Sequence, residues 1–195
     1  MQIQRICVFC GSSPGRSPAY MGAARALGLA LARRKIGLVY GGAHVGLMGE
    51  IANAVIEHGG HVTGVMPRAL IEREIAHQGL AELRVVDSMH QRKALMAELS
   101  DGFIALPGGF GTLEEFFEIV TWAQLGLHRK PCGLLNQSGF FDQLRAFLDF
   151  AVGEQFIRPQ HRAMILVEAD PDRLLDCFDA YQAPAVAKWI DRQET

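Results

Sequence analysis

Apolar residues fall along this chain in two alternating rhythms. Short, often β-branched runs (RICVFC, IGLVY, HVTGVM, LRVV, GFIAL, PCGLL and AMILV) are separated by longer Ala- and Leu-rich stretches with helical spacing. The runs predict seven strands, over 5–10, 36–40, 61–66, 83–86, 102–106, 131–135 and 163–167. The longer stretches predict helices over 18–34, 46–58, 88–99, 112–126, 139–152 and 170–180. Strands apolar on both faces that alternate with helices form a mainly parallel α/β sheet with right-handed crossovers and helices on both sides.

In such a doubly wound sheet, ligands sit beyond the carboxyl ends of the strands. The strand-to-helix loops are therefore the places to look: CGSSPGRSP (10–18), GGAHVGLMG (41–49), MPRALIEREIAHQG (66–79), DSMHQRK (87–93) and LPGGFGT (106–112). Each holds groups suited to binding, whereas the helix-to-strand turns, such as RRK and EHGG, are ordinary. A single domain is expected over 1–195, with a tail from about 181 that shows no clear periodicity beyond a short helix and is read as surface or dimer-facing.

At 195 residues and 49% hydrophobic content the chain is long enough for one substantial core. Nineteen basic and 21 acidic residues give a formal net charge of −2, which is not the electrostatic footprint that duplex nucleic acid requires. The start, MQIQRICVFCGSS, lacks the apolar core of a signal peptide, and no run approaches the roughly 18 to 20 apolar residues of a membrane span. A cytoplasmic protein with no membrane partner is expected. Cys7 and Cys10 form a C-x-x-C inside a strand, without a second pair at zinc-site spacing. With Cys132 and Cys177 they read as small core residues in a reducing compartment, rather than as redox or metal ligands.

The loop LPGGFGT carries the most chemistry. Gly108, Gly109 and Gly111 let the backbone approach a ligand closely, and a helix starting near Thr112 aims its free N–H groups at the same spot, which suits an anion. A blander reading stands beside it: Thr112-Leu113-Glu114-Glu115 fits a T-x-x-E capping box, in which Glu115 only satisfies a backbone N–H. In the second loop Gly41, Gly42, Gly46 and Gly49 do not form G-x-G-x-x-G, and Val65-Met66-Pro67 stands where a dinucleotide site wants an acid, so NAD is disfavoured. Two glycine loops at different strand ends suit one small nucleotide held from two sides. Ser88 is a candidate N-cap that places Arg92 and Lys93 early in the next helix, either as solvated bases or beside the anion loop. Glu72, Glu74 and His77 lie in the long third connection, where Glu74 suits a ribose hydroxyl or a base as well as it suits solvent. The chain has no G-x-x-x-x-G-K-[ST] and no G-x-S-x-G, which removes P-loop phosphoryl transfer and the serine hydrolase elbow.

PGGFGTLEE, together with FCGSS, YGGAHVGLMGEIA, MHQRK and TWAQLGLHRKPCGLLN, resembles the signature set of the LOG family, the cytokinin riboside 5'-monophosphate phosphoribohydrolases, over about residues 5–157. The resemblance implies a Rossmann-like doubly wound fold and hydrolysis of the N-glycosidic bond of an adenosine-type 5'-monophosphate, giving free base and ribose 5-phosphate. It implies Arg92 and Glu115 as the catalytic pair, with binding by Glu74, Arg92, Lys93, Gly109, Phe110, Gly111, Thr112, Leu113, Glu114, Glu115 and Thr121. The residues themselves add Gly108, Gly42 and Gly46 as binding candidates. No cofactor or metal is implied, and family members are usually homodimers with sites near the interface. Ala43-His44 departs from the small polar pair of many relatives and bears on fine specificity.

An older label for such chains, lysine decarboxylase, fits poorly. Only Lys93 of the four lysines lies in a candidate site, without the pocket residues of a pyridoxal Schiff base. A nucleotide-binding or carrier protein without turnover is the alternative from another class. In the hydrolytic reading the ribose gains positive charge and the base negative charge as the bond breaks. Glu115 is assigned to the ribose face and to water, and Arg92 to phosphate or departing charge, since a guanidinium is not a proton donor.

Overall fold

Each of the seven apolar runs forms a strand. The computed structural model describes residues 3–71 and 76–184. The strands are β1 (Arg5–Phe9), β2 (Gly37–Tyr40), β3 (Val62–Pro67), β4 (Glu82–Val86), β5 (Gly102–Ala105), β6 (Cys132–Leu135) and β7 (Ile165–Glu168). All pair in parallel in the order β4-β3-β2-β1-β5-β6-β7. The strand order reverses direction between β1 and β5, so the loops after these two strands part there and open a crevice.

Alternation along β1 divides the core into two layers. Ile6, Val8 and Cys10 face a cluster with Leu27 and Leu31 of α1 (Pro18–Arg33), Ile51 and Val55 of α2 (Gly46–Glu57), and Leu174 and Phe178 of α8 (Pro171–Asp179). Cys7 and Phe9 face the opposite cluster, with Met96 of α4 (Met89–Glu98), Phe116 and Ile119 of α5 (Phe110–Gln124), and Leu148 of α6 (Asp142–Gly153). The C-x-x-C therefore splits across the sheet, with Cys7 and Cys10 both buried and all four cysteines unpaired. Burial pushes the Cys7 and Cys10 thiols well up and that of Cys132 to about 12. Among the described residues no group of three or more His, Cys, Asp or Glu is placed to hold a metal.

The helix boundaries differ from expectation in instructive places. The helix after the glycine loop begins at Phe110 with Gly109 as N-cap, not near Thr112. Thr112 is thus inside the first turn, and the capping box that would have made Glu115 a structural residue does not form. Ser88 does cap α4, its hydroxyl accepting from the Gln91 N–H at 3.2 Å. The helix expected over 139–152 instead starts at Asp142, after a 3-10 turn at Gln137–Gly139, because Asn136 Oδ1 accepts from the Phe141 N–H at 2.7 Å and holds the chain in a turn. Two four-residue helices also form: α3 (Arg68–Ile71), in a stretch expected to be loop, and α7 (Pro159–Arg162), where no element was predicted. Most of the tail, 185–195, lies outside the described residues.

Candidate active site

Three loops meet at the crevice through their backbones. The Gly11 N–H donates to the Pro107 carbonyl at 3.1 Å, and the Leu47 N–H donates to the Gly11 carbonyl at 3.1 Å. Bare backbone is what makes this approach possible: a Cβ on Gly108 would collide with the Thr112 hydroxyl and stand 2.9 Å from the Gly11 nitrogen. Gly46, at φ 56°, likewise presses on the backbone of Ser12. Above this junction lies a cleft of about 400 Å³, whose lining includes Gly11, Ser12, Gly41, Met48, Leu70, Met89, Arg92, the Gly109–Thr112 turn, Glu114 and Glu115.

The first backbone bond of α5 runs from the Leu113 N–H to the Gly109 carbonyl at 3.1 Å. The N–H groups of Phe110, Gly111 and Thr112 thus have no acceptor within the helix and lie at the positive end of its dipole, in the cleft wall. No acidic side chain occupies this first turn to compete with an incoming anion.

Facing the turn is a buried ion pair. Arg92 Nη1 of α4 lies 3.6 Å from Glu115 Oε1 of α5, with side chains only 9% and 12% exposed. Burial raises the Glu115 carboxyl above its ordinary range, and Arg92 opposes the shift without cancelling it. The Arg92 Nη1 also reaches Met89 Sδ at 3.7 Å, and its buried Nε has no hydrogen-bond partner among the described residues. Position 41 explains how the guanidinium fits: a Cβ on Gly41 would overlap Arg92 Nη2. The arrangement combines free helix-terminal amides, a guanidinium whose Nε lacks a partner and a carboxylate partly shielded from water, all within one cleft.

The expected site residues separate into groups. Gly109, Phe110, Gly111, Thr112, Arg92, Glu114 and Glu115 line the cleft. Gly108 shapes it from behind and lines an adjoining cavity of about 310 Å³ beside Tyr20 and Phe140, whose rings meet edge to face at 5.6 Å. Gly42, at φ 88°, and Gly46 do not line the cleft; they serve turn and loop contacts, while the neighbouring Gly41 takes the place at the wall. Leu113 turns into the apolar layer beneath α5. Lys93 is not a solvated base but is 7% exposed and held by Glu114 and Glu118, beside the cleft and not among its lining residues. Thr121 is exposed farther along α5, its hydroxyl donating to the Phe117 carbonyl at 2.7 Å. Glu72 and Glu74 lie outside the described residues, and His77 is engaged with Asn53 at 2.8 Å. His44 is exposed and is not in the cleft wall. Sequence reasoning passed over Met48, Leu70 and Met89, whose apolar type carries no signal of a site until the fold brings them to one wall.

The chain is thus a Rossmann-like parallel α/β protein with its cleft at the strand-order reversal, walled by helix-terminal amides and a buried Arg–Glu pair. The family profile described as "Possible lysine decarboxylase" matches residues 48–178. A cytokinin riboside 5'-monophosphate phosphoribohydrolase of Arabidopsis thaliana is 51% identical over 181 residues, covering 93% of this chain and 83% of that one. A protein of the same description from Oryza sativa subsp. japonica is 52% identical over 165 residues, covering 85% and 68%. The chain belongs to the LOG family of cytokinin riboside 5'-monophosphate phosphoribohydrolases. Among solved structures, a molybdenum cofactor binding protein from Rippkaea orientalis superposes with a TM-score of 0.70 at 20% identity, covering 92% of this chain and 98% of that one. The carrier protein from Chlamydomonas reinhardtii does so with a TM-score of 0.68, also at 20% identity with 92% and 98% covered. At that identity the likeness is one of fold alone.

Proposed function

We propose that this protein hydrolyses the N-glycosidic bond of adenosine-type nucleoside 5'-monophosphates, cytokinin riboside monophosphates or AMP, to free base and ribose 5-phosphate. The observation that carries the reading is the Arg92–Glu115 pair, buried 3.6 Å apart in the wall shared with the free amides of α5. The phosphate docks on the Phe110–Thr112 amides, where no lysine is needed because no phosphoryl group is transferred. As the C1'–N bond breaks, the electron pair leaves with the base and positive charge builds on the ribose. Glu115, ionised, stabilises that charge and takes a proton from the water whose oxygen bonds to C1'; the departing base takes a proton from solvent, and Glu115 returns its own to solvent to close the cycle. Arg92, always charged, holds phosphate or developing negative charge and keeps Glu115 oriented.

The reading extends to the assembly and its surroundings. A homodimer accounts for the exposure of Phe110, Phe147, Phe150 and Phe156, and Thr121 stands on the outer side of α5 where a second copy can meet it. A cytoplasmic location agrees with four unpaired cysteines, and no helix among the described residues is long and apolar enough to cross a membrane. The test is product analysis. Incubation with AMP and with isopentenyladenosine monophosphate should release ribose 5-phosphate from at least one; folded protein that releases it from neither overturns the proposal.

A further inference from the structure

Lys93 is a buried charge for which the proposed reaction has no use. It is 7% exposed, and its Nζ lies 2.5 Å from Glu114 Oε1 and 3.0 Å from Glu118 Oε2. Those two carboxylates sit one turn apart on α5 and bracket Glu115 in sequence, while Lys93 directly follows Arg92 on α4. Two cross-links therefore join the same pair of helices, one in the cleft and one beside it. Two of the three Nζ donors are thus directed at α5, and the compensation of this buried cation comes from those carboxylates.

We infer that Lys93 is a positioning residue, which locks α4 against α5 so that Arg92 faces Glu115 and which neutralises the carboxylates flanking Glu115. The inference rests on the proposed reaction at this site. The charged and titratable groups acting on Glu115 are Arg92 and Lys93 from α4 and Glu114 and Glu118 from its own helix, with the Cys7 and Cys10 thiols of β1 nearby. After burial, Glu114 and Glu118 raise the Glu115 carboxyl, and Arg92 and Lys93 lower it. Removing the lysine cation leaves two uncompensated negative neighbours. Glu115 then keeps its proton to higher pH and is less available as an anion.

The experiment compares Lys93→Met with wild type, using AMP as substrate and ligand. Expected are a kcat lower by about tenfold or more, a Kd for AMP by calorimetry unchanged within about twofold, and an acid limb of the kcat/KM profile moved to higher pH. Lys93→Arg, which keeps the charge, should recover much of the rate and return the limb. A Kd weakened by about tenfold with kcat and the limb unmoved would make Lys93 a substrate ligand and overturn the inference. A lower kcat with the limb in its wild-type place overturns it equally, since a merely structural contact does not move a titration. Should Lys93→Met fail to fold, Glu118→Gln removes one flanking charge and must move the limb to lower pH. An unmoved limb there has the same overturning force. Glu115→Gln run alongside separates the two readings: full turnover in that variant removes the site assignment itself. A dead Glu115→Gln with an unmoved limb in Lys93→Met removes only this inference.

Discussion

Arg92 fits in the cleft because position 41 carries no side chain. The Cβ of Gly41→Ala would overlap Nη2, and the guanidinium has little room to yield between Met89 and Glu115. Displacement by about 1 Å is enough to cost roughly 10²-fold in rate. Gly41→Ala should therefore lower kcat by about that factor while circular dichroism remains that of wild type, which steady-state kinetics on AMP will show. Glu115→Gln keeps the shape and removes the anion, so kcat should fall by roughly 10²–10⁴. The same carboxyl ties pH to stability. Its folded-state pKa lies above the unfolded value, so its contribution to stability is full below the unfolded pKa and is lost as pH rises through the folded one. In thermal melts, the Tm of wild type relative to Glu115→Gln should rise as pH falls toward the ordinary carboxylate range; a difference independent of pH would contradict the buried, destabilised carboxylate. Much of this was hidden in the sequence. T-x-x-E at 112–115 suits a cap as well as an active site; the start of α5 at Phe110 rules out the cap, and the packing of α4 on α5 then sets Glu115 beside Arg92. In sequence Arg92 and Lys93 suit solvated bases as well as groups beside the anion loop, and their burial comes from partners more than 20 residues away on α5.

The start of α5 is where local sequence and binding chemistry meet. Three glycines within 108–111 announced a close backbone approach, and the helix indeed begins there, two residues before the threonine that seemed to cap it. The shift follows from Gly109, which serves as N-cap in extended backbone without any side-chain bond, leaving the first-turn amides open. Gly108→Ala tests the cradle apart from the chemistry. Its Cβ would strike Thr112 and the Gly11 backbone, displacing the turn proposed to hold the phosphate while leaving Arg92 and Glu115 on their helices. The KM for AMP should rise about tenfold, with a smaller loss in kcat. Adenosine, which has no phosphate to anchor, should be a poor substrate for wild type and should lose little further in the variant. An equal loss for both substrates would place Gly108 in general folding instead. The short helices α3 and α7 escaped sequence reasoning for a physical reason: four residues complete one turn, too few to display a periodicity.

For the molecule as a whole, the sheet was the most legible feature, because its central strands are buried on both faces and so read as continuous apolar runs, while the edge strand β4 kept only a short Val-rich core within ELRVV. What the runs left unspecified was the outer surface, where the strongest departure from a self-sufficient monomer appears. On α6, Phe147 and Phe150 are 62% and 63% exposed, and Phe156 just beyond its end is 87% exposed. Their spacing of three and six residues puts Phe147 and Phe150 on one helical face and brings Phe156 near the same end. Aromatic side chains grouped in this way are costly to leave in water and mark a surface that another protein covers. A second copy of the chain is the occupant proposed here, so light scattering should return twice the 21.4 kDa chain mass. Phe147→Glu combined with Phe150→Glu would place two carboxylates in each half of a self-complementary contact, where like charges meet across the dyad. The double variant should run at the mass of one chain with its far-ultraviolet spectrum unchanged. If it remains a dimer, the copies meet on another face, with the exposed Phe110 beside the cleft as the next position to test by the same substitution.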